Sequence, residues 1–131
     1  MGRLSGVEVV PLEDVAPIDL SGGSWSRVLL TGARVGSSSA LGFSSFAAGT
    51  STAMLSHATE ELAYVLTGQG ELRLDGETVP YAAGSALFIP AGVWHAVANT
   101  GDEPVTMVFA FPHPDYPPTE RRDANPPGIA S

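Results

Sequence analysis

The chain has 131 residues, 44% of them hydrophobic, which is enough apolar material for one packed domain. Acids outnumber bases 14 to 6, every base is arginine, and the net charge is -8. Such a field repels phosphate backbones and anionic lipid, so neither nucleic acid nor membrane is expected as a partner, and the absence of cysteine removes disulfides and thiolate metal ligands together.

The N-terminal stretch MGRLSGVEVVPLEDV has no apolar signal region after Arg3, and no run is long enough for a membrane helix, so a cytoplasmic protein is expected. VEVVP (7–11) reads as a strand, and residues 1–20 as an edge strand with its lead-in. SRVLLTG (26–32) and ALGFSSFAAG (40–49) follow as strand-like runs closed by glycine. ATEELAYVL (58–66) has some helical propensity, but its β-branched and aromatic residues and Gly68 fit a strand better. GELRLDGETVPY (70–81) places Asp75-Gly76 between two alternating runs, a type I′ hairpin signal. SALFIPAG (85–92), WHAVANTGDEP (94–104) and VTMVFAFP (105–112) complete the series. No run carries a 3.6-residue apolar period. Many short strands with turns between them predict an all-β sandwich or barrel, here over residues 21–112. The prolines of residues 113–131 predict an extended arm that frays toward its end.

Two stretches carry chemistry. The first runs Gly49, five residues, Leu55, one residue, His57, three residues, Glu61, six residues, Gly68. The second runs Gly84, five residues, Pro90, one residue, Gly92, two residues, His95, three residues, Asn99. Alone, a His and a Glu four apart are either two ligands or two surface residues. Together these stretches resemble the paired motifs of the cupin superfamily, G-x5-H-x-H-x3-E-x6-G and G-x5-P-x-G-x2-H-x3-N, at every fixed position but one. The exception is Leu55, where the family has its first histidine. YVLTGQGELRLDGE and IPAGVWHAVANTGDEP are also similar to bacterial single-domain cupins associated with polyketide cyclisation. The resemblance implies a single-domain cupin β-barrel, a jelly-roll-like double-stranded β-helix, with a metal held inside by residues of both motifs.

Strand alternation agrees with that implication. Residues 53, 55 and 57 share a face, as do 61, 63 and 65, so His57 and Glu61 flank a turn and point inward from adjacent strands. His95 shares its face with Val97 and Asn99. With Leu55 in place, the implied ligand set is His57, Glu61 and His95. Two imidazoles and a carboxylate suit one divalent transition metal, whether Fe, Mn, Zn, Ni or Co, with positions left open. Pro90 and Gly92 set a rigid turn before His95. Asn99 is not a ligand in the family and is expected to hold a loop through backbone hydrogen bonds. Glu60 reads as a solvated carboxylate, and His113, between prolines, as a residue of an exposed turn. The expected substrate pocket comprises Leu55, Phe43, Ala63, Phe88, Val97 and Phe109; Phe43 and Phe46 lie on opposite faces, so only one of them can point inside. Trp94 should face away from His95, against a neighbouring strand or a partner subunit.

Other chemistries fail: GSSSALG lacks the context of a nucleophile elbow, a P-loop needs a lysine, and TGQGELR lacks the third glycine of a dinucleotide fingerprint. The expected function is a metal-dependent cupin enzyme acting on a small aromatic or polyketide-like substrate. Dioxygenase, cyclase, decarboxylase and isomerase all remain open, because a fold does not choose among them. The alternative is a non-catalytic small-molecule-binding cupin, weakly metallated or metal-free. A homodimer is expected, with the first apolar strand and Trp94 as candidate surfaces.

Overall fold

The computed structural model describes residues 5–20 and 22–122. Among these residues, eleven strands lie in two antiparallel sheets. They are β1 (Ile18–Asp19), β2 (Trp25–Leu30), β3 (Ala40–Phe46), β4 (Met54–His57), β5 (Glu61–Thr67), β6 (Gln69–Leu74), β7 (Glu77–Ala82), β8 (Ala86–Ile89), β9 (His95–Asn99), β10 (Val105–Phe111) and β11 (Thr119–Arg122). One sheet has the order β1-β2-β3-β10-β5-β8 and the other β11-β4-β9-β6-β7.

The pairing explains the architecture. The β6–β7 hairpin turns at Asp75-Gly76, and β5 then pairs with β8, β4 with β9 and β3 with β10. The chain is therefore one long hairpin ribbon, and successive lengths of it fall in opposite sheets. Winding brings β10 beside β5 and β9 beside β6, which closes each sheet. The two sheets bury their facing sides, where Val65, Val105 and Phe111 are sealed from solvent. Alternation does the sorting: in β3, Ala40, Gly42, Ser44 and Phe46 are buried while the residues between them are not. Gly42 lies directly opposite Phe109, and its missing side chain leaves room for that ring.

The all-β expectation holds, and the 58–66 stretch is strand from Glu61 onward. The first expected strand is displaced. Residues 7–11 form no strand, and Val7 and Val9 are exposed; the edge strand is the two-residue β1, preceded by a 3-10 turn at Leu12–Asp14. The described part of the arm is extended toward its end, where the proline-free Thr119–Arg122 pairs in full with β4. The arm is tied down before that as well, since Gly32 N–H donates to Pro114 O at 2.6 Å and Ala58 N–H to Pro118 O at 2.9 Å. The rest of the arm, from residue 123, lies outside the described residues. Among the described residues, no helix is long and apolar enough to cross a membrane.

Candidate metal centre

His57 ends β4, Glu61 begins β5 and His95 begins β9, so three strands from both sheets deliver the cluster. The turn before His95 is fastened to the strand of His57. Gly92 sits at φ 79° and donates its N–H to the His57 carbonyl at 2.8 Å, while Val93 N–H closes on Pro90 O. Asn99 holds the other end of β9. Its amide donates to Phe46 O and Glu103 O at 2.9 and 2.8 Å, and its oxygen accepts from Gly101 N–H at 2.9 Å.

Both imidazoles are oriented by their Nδ1 atoms. His95 Nδ1 lies 2.9 Å from the Val93 carbonyl, which can only accept, so Nδ1 carries the proton. His57 Nδ1 lies 2.8 Å from Thr119 Oγ1, whose own hydroxyl donates to Pro117 O at 2.8 Å. Each Nε2 thus faces Glu61, with Oε1 3.3 Å from His57 Nε2 and 3.6 Å from His95 Nε2, and a neutral ring in this tautomer presents its lone pair there. All three ligand atoms lie within 4.8 Å of one another. Ligands held about 2.1 Å from one ion stand about 3.0–3.4 Å apart at right or tetrahedral angles, so the cluster is close to the size a cation needs. Two neutral imidazoles and a carboxylate would face one another as three acceptors without a donor, an arrangement that protons on the rings or a divalent cation completes. The donor set fits a metal.

The cluster is deep: His57 and His95 are 4% and 2% exposed, and the Glu61 side chain 14%. Burial alone would raise the Glu61 carboxyl, but hydrogen bonds and charge from His57 and His95 outweigh it and hold the group below the ordinary carboxylate range. Aromatic rings enclose His57. Phe111 and Tyr116 meet it edge-on, with centroids 5.0 and 5.5 Å away. The Tyr116 phenol is pushed well above its ordinary range, first by burial and then by the Glu61 charge.

Leu55 pairs directly with His95 across β4 and β9, so its side chain shares the interior face with both histidines. Ala63 and Phe109 also point inward as a cross-strand pair, and Val97 packs against the same core. Phe43 and Phe88 do not belong to this interior. Phe46 is the inward member of its pair, and Phe43 lies on the outer face against Trp25, centroids 5.8 Å apart. In β8 the inward residue is Ile89, which leaves Phe88 61% exposed. A strand's two-residue period decides both cases, because one step along the chain exchanges the faces. Glu60 is exposed. His113 is outside the cluster, in a turn where Asp115 N–H donates to its Nδ1. Trp94 is covered within the chain by the Arg122 guanidinium, 4.5 Å above its ring. A groove of about 290 Å³ between Pro17, Trp25 and Arg27 shares no residue with the cluster. Sequence reasoning missed Tyr116 and Thr119, for which the proline-rich arm gives no local signal.

Comparisons with known proteins agree with this geometry. The cupin domain family model matches residues 42–111. Over 103 residues the chain is 38% identical to polyketide synthase CurC of Streptomyces cyaneus, covering 77% of this chain and 66% of that one. It is 31% identical over 131 residues to tetracenomycin polyketide synthase protein TcmJ of Streptomyces glaucescens, covering 92% of this chain and 87% of the relative. The structure of the polyketide cyclase RemF from Streptomyces resistomycificus superposes with TM-score 0.73 at 23% identity, over 88% of this chain and 84% of that one, a likeness of fold. The wound ribbon, the two motifs it brings together and the family match over residues 42–111 lead to one conclusion: this chain belongs to the cupin family.

Proposed function

We propose that the chain is a metal-dependent enzyme acting on an aromatic or polyketide-like substrate, with His57, Glu61 and His95 holding one divalent transition metal. The observation that carries this reading is the convergence of two imidazole Nε2 atoms and a carboxylate in a buried cluster. A bound divalent ion supplies Lewis acidity that polarises a substrate oxygen. The polyketide synthase names of the relatives support the substrate class. So does the chemistry beside the cluster: Leu55 and the partly exposed Tyr116 ring, backed by the buried Phe111, offer apolar and aromatic surface to a ring system. Tyr116 keeps its phenolic proton and can donate a hydrogen bond to a substrate oxygen.

Metal analysis of protein purified without added metal, followed by incubation of the loaded protein with a linear aromatic-polyketide precursor, tests this. Stoichiometric metal and a metal-dependent change in product pattern are expected. Protein that takes up no divalent ion is a binding module and not this enzyme.

Leu55→His gives a sharper test of the same site. A fourth ligand beside His95 should tighten metal affinity at least about tenfold and fill an open position, so turnover should fall. Unaltered affinity would mean that residue 55 does not face the metal.

We also propose a homodimer, and the outer face of the six-stranded sheet as its surface. Leu62 pairs with Phe88 on one side and Ala110 on the other, and Tyr64 with Ala86 and Val108. Leu62, Tyr64, Leu66 and Phe88 are 47%, 47%, 45% and 61% exposed. The outward positions of β3, β10, β5 and β8 carry no charge, so in a chain of net charge -8 two copies can meet on this face with little repulsion. Light scattering should give twice the chain mass at micromolar concentration, and Phe88→Asp should give the monomer. A monomeric wild type would sink this surface.

A further inference from the structure

We infer that Thr119, on the C-terminal strand β11, is a positioning residue for the metal centre: it accepts the Nδ1 proton of His57 and so holds Nε2 toward the ion. The inference rests on the metal-binding reading above. Strand register places Thr119 directly opposite His57, 62 residues away in sequence, with Oγ1 2.8 Å from Nδ1. The Thr119 proton is committed to Pro117 O at 2.8 Å, which leaves its oxygen as an acceptor. That choice puts the hydrogen on Nδ1 and the lone pair on Nε2, the atom nearest Glu61.

The two histidines are thus held by different means. His95 is oriented by the carbonyl of Val93, two residues before it in its own loop. His57 depends on a strand from the far end of the chain. The segment before β11 lays Tyr116 against His57, and Arg122 at the end of β11 stacks on Trp94 and pairs with Asp75. The C-terminal strand is therefore part of the centre, and its docking and metal loading should strengthen each other.

The test needs no catalytic assay. Imidazole proton–nitrogen correlation spectra of the metal-free wild type should show a His57 Nδ1–H protected from exchange. Thr119→Ser should keep that signal and Thr119→Val should lose it. Zinc affinity, read by competition with a chromophoric chelator, should fall about 10–100-fold in Thr119→Val and stay within about threefold in Thr119→Ser. An unprotonated His57 Nδ1 in the wild type overturns the inference without any variant having to fold. Wild-type zinc affinity in Thr119→Val also overturns it. If the wild type binds no zinc or other divalent ion, the metal reading fails and the Nδ1 signal alone decides the role of Thr119.

Discussion

His57→Ala and His95→Ala should each cost at least about 100-fold in divalent-metal affinity, more than the loss of an outer hydrogen-bond partner costs. Either change leaves Glu61 and one imidazole, two ligands in place of three. A competition titration with a chelating dye reads the loss directly. Thermal melting reads it a second way. A ligand at 100 times its Kd stabilises the folded state by about 2.7 kcal/mol, so a chelator should lower the wild-type melting temperature and leave the variants unmoved. The variants should also be less stable without metal. Each histidine offsets the burial cost of the Glu61 carboxylate, and His57→Ala removes a ring packed against Phe111 and Tyr116. His113→Ala is the control. That residue lies in a turn with Asp115, outside the cluster, and its loss should leave metal content unchanged. Histidine variants that keep full metal content would show that the ion sits elsewhere.

Gly70→Ala should destabilise the fold by about 3 kcal/mol or more. Gly70 lies on β6 between Asn99 of β9 and Tyr81 of β7. A methyl group there would run into the Ala98 carbonyl oxygen and the Tyr81 hydroxyl. Those two atoms share a 2.8 Å hydrogen bond that crosses above the glycine. Burial, with a smaller push from Glu71, raises the Tyr81 phenol to about 12, so it remains a donor at any working pH. The added carbon would break this bond and spread the ladder that carries His95, which pairs with Leu74. Metal affinity should therefore fall along with stability. Gly101→Ala sets the scale, since its nearest neighbour would stand at an ordinary 3.5 Å, and it should cost under about 1 kcal/mol. Urea unfolding of the two variants decides: equal costs would mean that β6 and β9 are not as close as described.

The local chemistry of this chain is written in its sequence. Short runs bounded by glycine and proline specify strands, and Asp75-Gly76 specifies the tip of the ribbon, because turn conformation depends on the few residues that adopt it. Spacing within each motif fixes which side chains share a strand face, so Leu55 falls on the face of His57 and Ala63 on that of Glu61. Which of the two faces turns inward is another matter. Phe43 and Phe88 are as apolar as the residues that are buried, and only the packing of one sheet on the other selects Phe46 and Ile89 for the interior. The arm shows the same limit more strongly. Its prolines forecast an extended chain, and an extended chain can stand free or complete a sheet with nearly the same local signal. Winding the ribbon leaves an open edge on β4, and Thr119–Arg122 fills it. That contact spans 62 residues, so no local pattern encodes it, yet it brings Thr119 to His57 and sets which imidazole nitrogen faces Glu61.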